Sequence, residues 1–495
     1  MNAVMAKCLP CVMIVIAFQI LPDARANEPL SKDPRVRSNI ALLEAWIESQ
    51  MAYKGLPGLC VAIVHDQDVI YQRGFGYADL KTKQPTTPDT LYRIASHSKL
   101  FAAISIMQLR DQGRLQLDDW VRKHLPWFEL KGLDGNSPEV TIRHLMTHSS
   151  GIPREGGNQL HWTRFQFPTI DEIKLHIKDQ EAVFPAETRW KYSNLAHVLL
   201  GEIVAAASGQ PFDKYVERNI MKPLNMSASG VSLDSIDRNQ LATGYGRRLP
   251  DGTRQALPVI DAKGMAAAAG VTASVADMTR FVSWQFRLLN GNDTEVLKPS
   301  TLRTMQRLHW IDPEWNRGFG LTFMIYKTPD RVLVGHSGGY PGFRTSTFVS
   351  AREKLGVIVF TNSLDAQPYP GQPLSIADRA FKWVGGAIAE ARAEPESKSK
   401  RQKADYSHLE GTYRHVWGDS HVMELDGELV VIDITAPTPK KSLSILEPQG
   451  KSKLTFRVTR GEPVLFLGET VTFQTGQDGT AHTMVLTRTE AARVK

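Results

Sequence analysis

The sequence predicts an α+β domain followed by a small all-β, barrel-like domain. Three observations carry that prediction. Strand-like runs lie at both ends of residues 36–391, with helical patterns between them. Residues 392–405, Arg-Ala-Glu-Pro-Glu-Ser-Lys-Ser-Lys-Arg-Gln-Lys-Ala-Asp, are polar and charged, as a linker is. Beyond them, over residues 406–495, short alternating runs are separated by turn residues.

The 495 residues suffice for two cores, and 42% hydrophobic with 22% charged residues is the balance of a folded soluble chain. The formal net charge is +7. No dense basic helix or aromatic-basic array accompanies it, so nucleic acid is not an expected partner. Residues 1–26 read as a secretory signal peptide. Lys7 precedes an apolar core over 9–21, and Ala24-Arg25-Ala26 supplies small residues for cleavage after Ala26. That core is short for a membrane span, and no later stretch approaches ~20 apolar residues. The expected location is therefore the periplasm or the medium. Cleavage removes Cys8 and Cys11 and leaves Cys60, which lies in the apolar run 58–64 and reads as an inert core thiol. No disulfide, zinc cluster or cysteine nucleophile is expected.

Along the first domain, Ile40, Leu43, Ile47 and Met51 recur at helical spacing and predict an amphipathic helix over 36–53. Runs 59–64 and 69–75, joined by His65-Asp-Gln-Asp68, form a hairpin signal. A turn-rich segment, 85–88, gives way to the apolar run 100–109, a buried helix that stops at Asp111-Gln-Gly113. Residues 141–153 form a short helix ending in a Gly/Pro turn. Its His144 and His148 stand four apart but lack the glutamate of the zinc-protease motif and a third ligand, so both read as structural. Residues 184–194 lead into an apolar helix, 195–207, that Ser208-Gly209 stops. The Ala-rich stretch 264–279 runs into a helix through Phe281, Trp284 and Leu288. Strands follow at 318–326, 331–335, 344–350 and 355–362, then a helix over 375–391. The N-terminal hairpin and these late strands are expected to share one antiparallel sheet. In the second domain, strands are predicted at 422–425, 429–434, 443–446, 454–458, 464–467, 471–473 and 483–486, with turns such as Asp426-Gly427 and Asp478-Gly479.

Three short patterns carry chemistry. Ser96 and Lys99 stand three apart where the turn meets the helix, so hydroxyl and amine can meet on one helical face. A free serine hydroxyl is a poor nucleophile until a base activates it. Lysine becomes that base only if its pKa drops from about 10.4, and burial pushes it that way. The spacing alone is not decisive, since Ser397 and Lys400 repeat it in the charged linker. Tyr192-Ser193-Asn194 adds a phenol and an amide. Residues two apart in an extended segment point the same way, so both can face one cleft. There the phenol takes the serine proton or returns it to a leaving group, while the amide orients the lysine and binds a substrate carbonyl. The plainer alternative is a packed tyrosine before a helix capped by Asn194. The third pattern is the octad Gly335-His-Ser-Gly-Gly-Tyr-Pro-Gly342, whose glycines let substrate approach backbone N–H groups. It also fits G-x-S-x-G with Ser337 as nucleophile. That elbow needs a helix at once, then an acid and a histidine in order, whereas a turn and a strand follow here.

Together, Ser96-x-x-Lys99, Tyr192-x-Asn194 and His336-x-Gly338 resemble the three motifs of the serine β-lactamase and penicillin-binding protein superfamily. The tyrosine form is similar to class C β-lactamases, family VIII esterases, D-alanyl-D-alanine carboxypeptidases and D-aminopeptidases. Residues 92–99, 142–151 and 270–277 share the likeness, which covers 36–391. The barrel-like domain is similar to the lipocalin-like domains of some D-aminopeptidase relatives. The resemblance implies a β-lactamase/transpeptidase-like fold and an acyl-enzyme route that uses no metal and no cofactor. Ser96 is acylated, Lys99 and Tyr192 move its proton, and Asn194 holds substrate and lysine. The backbone N–H groups of Ser96 and Gly339, next to Gly338, form the oxyanion hole, with His336 bordering it. Dedicated β-lactamases carry lysine where this chain has His336. A histidine with pKa about 6.5 is mostly neutral at pH 7, which shifts the expectation from carboxylates toward neutral esters or amides. Pro185-Ala-Glu-Thr188 departs from the Pro-Pro-Gly-Thr of many relatives. The expected activity is hydrolysis of small carboxylic esters or of D-amino-acid-containing peptides and amides, cell-wall peptides included. The alternatives are a class C-like β-lactamase, a D-alanyl-D-alanine carboxypeptidase, or a wall-peptide or β-lactam sensor that acylates without turnover.

Overall fold

The structure, a computed structural model, describes residues 29–133, 139–157, 160–292, 294–315, 317–372, 375–393, 405–425, 428–433, 443–450, 452–461 and 466–494. The signal-peptide reading, nearly all of the linker reading and the turn at 426–427 fall outside them. The chain divides into two compact units either side of Glu394 and Pro395.

The first unit is built on an antiparallel sheet. Its strands are β1 (Gly58–His65), β2 (Asp68–Asp79), β3 (Gln84–Pro85), β4 (Trp310–Ile311), β5 (Arg317–Phe319), β6 (Met324–Lys327), β7 (Val332–Tyr340), β8 (Phe343–Ser350) and β9 (Leu355–Thr361). They lie in the order β3-β2-β1-β9-β8-β7-β6-β5-β4. The N-terminal hairpin and the late strands do share one sheet: β1 runs against β9 from Leu59–Thr361 to His65–Leu355.

Every residue of β1 is buried, because helices cover both sheet faces. Leu59, Val61 and Ile63 pack with Leu43 and Ile47 of helix α1 (Pro34–Lys54) and with Ile388 near the end of the first unit. Cys60, Ala62 and Val64 point the other way. They join Phe101 of helix α2 (Ser98–Asp111), Leu199 of helix α3 (Asn194–Ser208) and Phe286 of helix α4 (Val275–Asn290). Each fully buried aliphatic side chain here contributes about 1.5–3 kcal/mol. Asp33 caps α1 through the Arg35 N–H, and Gly55 ends it at φ 57.

Two strand assignments change. The single run predicted at 318–326 is split into β5 and β6 by a turn in which Thr322 has φ 73. The strand predicted to stop at 335 continues through the Gly-rich octad to Tyr340, paired with β8 up to Tyr340–Phe343. Its other neighbour, β6, reaches only Gly335, so the 336–340 half of β7 presents a free edge among the described strands.

The second unit is a closed antiparallel barrel of strands Gly411–His415, Gly418–Leu425, Glu428–Asp433, Leu443–Pro448, Thr455–Gly461, Thr470–Thr475, Ala481–Leu486 and Thr489–Arg493. The first and last strands lie outside the predicted runs, and their pairing at Tyr413–Arg493 and Arg414–Ala492 closes the barrel. Of the run predicted at 464–467, the described part, Phe466 and Leu467, lies in a turn. Tyr413, Phe456, Val471 and Phe473 belong to its buried core. Among the described residues of both units, no helix is long and apolar enough to cross a membrane.

Candidate active site

Ser96 lies in a 3-10 turn, Ala95–His97, that feeds directly into α2. Ala95 adopts φ 51, a left-handed conformation that costs a non-glycine residue about 1–2 kcal/mol. Local contacts hold this turn. Ser98 Oγ donates to the Ala95 carbonyl at 2.6 Å and accepts from the Val271 N–H at 2.9 Å. The Ile94 N–H donates to the Val271 carbonyl at 3.1 Å. Within residues 91–100, Ser96 alone is not buried. The fold thus projects one hydroxyl out of a buried segment.

Two groups converge on that hydroxyl. Lys99 Nζ is 3.1 Å from Ser96 Oγ, and the Tyr192 hydroxyl donates to the same oxygen at 2.8 Å. Lys99 is fully buried, and burial holds its amine well below the ordinary lysine range; nearby Glu155 opposes that shift and Arg154 reinforces it. Its second contact is a donation to the Ala268 carbonyl at 2.8 Å. Tyr192 is half-buried, and burial pushes its phenol up, outweighing the Ser96 hydrogen bond and Arg154, which pull it down. The phenol is therefore protonated and able to give a proton, and the amine is displaced toward the neutral form that accepts one. Of the two roles expected for Tyr192, proton donation is the one its environment favours.

Tyr192 is held by His148, whose ring centroid is 4.4 Å away. His148 Nδ1 accepts the Ser193 N–H at 3.2 Å, and burial keeps the imidazole neutral. His144 contacts Glu187 Oε1 at 2.9 Å through Nε2, and its Nδ1 accepts the Thr141 N–H at 3.3 Å. Both histidines have structural partners, and no metal-holding cluster of histidine, cysteine or acid groups occurs among the described residues. Cys60 is buried, with its thiol pushed up by burial.

Asn194 departs from expectation. The N-cap of α3 is Ser193, whose Oγ accepts from the Ala196 N–H at 3.0 Å. Asn194 is the first helical residue, and its Nδ2 donates to Glu155 Oε1 at 2.8 Å. The lysine is thus oriented by the Ala268 carbonyl, not by the Asn194 amide. Nothing in the sequence singles out Glu155. It also meets Arg154 Nε at 3.1 Å and His161 Nε2 at 3.3 Å. Burial raises its carboxyl pKa, but the hydrogen bonds from His161 and Asn194 win and keep it ionised. A lone Arg-Glu pair in a loop carries no sequence signal that separates it from a solvated ion pair.

His336 also departs. It has no exposed surface, so it lies beneath the cleft instead of bordering it. Its Nδ1 is 2.6 Å from the Ser337 carbonyl, and its ring lies 6.1 Å from that of His97. Burial holds it well below the ordinary histidine value. Ser337 is in mid-strand with its Oγ 3.8 Å from Met324 Sδ, which removes the elbow alternative. Gly338 is where absence of a side chain matters. A Cβ there would lie 2.2 Å from the Ile94 carbonyl oxygen and 2.3 Å from Thr345 Oγ1. β7 therefore packs directly on the segment that delivers Ser96. Gly339 is exposed, beside Arg344 of β8.

A β-lactamase family model matches residues 43–381. Penicillin-binding protein 4* of Bacillus subtilis is 25% identical over 440 residues, covering 85% of this chain and 93% of that protein. Among solved structures, the octameric penicillin-binding protein homologue from Pyrococcus abyssi aligns with a TM-score of 0.60 at 25% identity. It covers 92% of this chain and 100% of its own. A D-stereospecific amidohydrolase from Streptomyces aligns with a TM-score of 0.55 at 25% identity, covering 65% and 94%.

Proposed function

Because the chain belongs to the β-lactamase family, we propose that it is an exported serine hydrolase that forms an acyl-enzyme on Ser96. Its substrates in this reading are carboxylic esters or D-amino-acid-containing peptides and amides. Hydrolysis is assigned to residues 36–391, with 406–495 as a separate β-domain. One observation carries the reading: a single partly exposed hydroxyl lies within hydrogen-bond reach of a buried amine and a phenol at once.

The chemistry follows from their protonation. Neutral Lys99 takes the Ser96 proton as Oγ attacks the carbonyl carbon. The backbone N–H groups of Ser96 and Gly339 hold the oxyanion, a role whose loss costs about 10²–10³ in rate elsewhere. Tyr192 gives its proton to the departing oxygen or nitrogen and recovers it from the lysine. Water then repeats the path in reverse and releases the acid. Asn194, fixed by Glu155, is left to meet the substrate. The similarity to a D-stereospecific amidohydrolase supports the amide half of the substrate range, and the signal-like residues 1–26 support export.

The test is a panel of p-nitrophenyl esters, D-amino-acid anilides and nitrocefin, run on wild type and Ser96→Ala. Hydrolysis confined to the wild type supports the proposal. A fluorophosphonate label absent from Ser96→Ala locates the nucleophile. A labelled penicillin that never clears on chase favours a sensor over an enzyme, and fast nitrocefin turnover favours a β-lactamase.

A further inference from the structure

The barrel of the second unit is filled at one end and hollow at the other. At the filled end Tyr406 packs on Phe456, and Phe456 on Phe473, with ring centroids 5.7 and 5.8 Å apart. The incoming chain is tied across that end, where the His408 carbonyl accepts the Ala481 N–H at 2.9 Å. At the opposite end strand Gly411–His415 turns into Gly418–Leu425, and Ala481–Leu486 into Thr489–Arg493. A cavity of about 310 Å³ enters the barrel there, within the range of small-ligand pockets, about 300–1,000 Å³.

The cavity wall is graded by depth. Ser420, Ser444 and Thr489 line it close to the mouth. Each stands two residues above a buried apolar side chain on the same strand face: Val422, Leu446 and Ala491. Deeper in, the lining is Val431, Leu446, Val458 and Met484. Ser444 lies directly opposite Val431 across their ladder, so both face inward. It is only 6% exposed, and its hydroxyl has no hydrogen-bond partner among the described residues. A hydroxyl buried without a partner is costly, and what lies before this one is the cavity. Trp417 lines the mouth and is 84% exposed. No acidic, lysine or arginine side chain lines the space.

We propose that the barrel binds a neutral amphiphile. Its hydrocarbon body lies against Val431, Leu446, Val458 and Met484. Its uncharged hydrogen-bonding head, such as an alcohol, meets the Ser444 hydroxyl beside the Trp417 indole. An ionised head would lose water here without gaining a counter-charge. This site is separate from the Ser96 chemistry and stands without it.

The test titrates N-phenyl-1-naphthylamine, an uncharged fluorophore with one N–H donor, into the full chain. The expected result is saturable emission that 1-decanol displaces and decanoate does not. Trp417 is the only tryptophan beyond residue 394. Trp417→Phe should therefore cut tryptophan-sensitised emission severalfold while directly excited emission still saturates. Ala491→Phe, which puts a ring into the cavity, should abolish saturable binding. Ser444→Ala should weaken 1-decanol about 2- to 10-fold, the worth of one hydrogen bond. If Ala491→Phe does not fold, the exposed Trp417→Phe still locates the probe. No saturable binding to wild type overturns the proposal. Sensitised emission unchanged in Trp417→Phe, or binding that survives in folded Ala491→Phe, places the probe elsewhere and overturns it too. Decanoate competing as well as 1-decanol, or 1-decanol unaffected by Ser444→Ala, overturns the assignment of the head group.

Discussion

Lys99 Nζ donates to the carbonyl oxygen of Ala268 at 2.8 Å, from the short helix Ala266–Ala269. A neutral carbonyl fixes the direction of the amine without supplying the full negative charge that would hold it as an ammonium. Lys99 thus stays aimed at Ser96 and available as a base. Replacing it by arginine keeps a cation but removes the base, because guanidinium does not deprotonate in proteins. Lys99→Arg is expected to lower kcat/KM for neutral esters by about 10²–10⁴, measured by product release. A variant that kept the wild-type rate would show that the position supplies charge and not proton transfer.

The same environment sets the pH dependence of rate. The active form has Lys99 unprotonated and Tyr192 protonated. Because the Lys99 value is displaced below 10.5, kcat/KM rises with pH through that displaced value and then levels. Because the phenol is displaced upward from 10.0, no fall is expected as pH passes 10 while the protein stays folded. A pH–rate profile on a neutral ester checks both limbs. A rise centred at 10.5, or a fall centred at 10, contradicts the assignment.

Stability should respond to pH with the opposite emphasis, through histidines. His97, His148, His197 and His336 are all buried, and burial depresses each of them, His97 to about 4. The unfolded chain binds protons near 6.5, before the folded one does, so their stabilising contribution is complete above 6.5 and is lost as pH falls toward the folded values. Each such histidine adds up to about 1.4 kcal/mol per pH unit of slope in that window. Calorimetry of the full chain should show Tm falling steadily from pH 6.5 toward 4.5. A Tm flat across that interval would mean that these imidazoles are protonated in the native state.

Patterns confined to a few neighbouring residues are legible in the sequence. The Ser96–Lys99 spacing, the helix behind it and the apolar run of β1 depend on local order along the chain, and they stand where the sequence puts them. Contacts between distant segments are not legible in this way. Ala268 is 169 positions from the lysine it orients, and its alanine-rich surroundings look like any helix start. Glu155 claims the Asn194 side chain through a loop contact that no spacing rule encodes. The strand read at 331–335 stops short within the octad because glycines are poor strand formers, yet pairing with β8 and packing against Ile94 extend it to Tyr340. The two strands that close the barrel are hidden for the same reason: Gly411–His415 and Thr489–Arg493 have weak alternation and are fixed by pairing with each other.

The contrast between adjacent glycines in that octad supplies the last prediction. A methyl on Gly338 would sit 2.2 Å from the Ile94 carbonyl oxygen, and both this atom and Thr345 Oγ1 belong to buried segments with little room to shift. One on Gly339 would meet nothing closer than 3.8 Å. Gly338→Ala must therefore displace β7 from the segment that presents Ser96, and misplacement by about 1 Å costs near 10²-fold in rate. Overpacking of this kind also costs about 1–3 kcal/mol of stability. Gly339→Ala keeps its backbone N–H and should lose far less on both counts. Paired measurements of Tm and kcat on a neutral ester decide the matter. Equal losses at the two positions would show that β7 does not bear on Ile94, and that the close packing behind Ser96 is not what positions the hydroxyl.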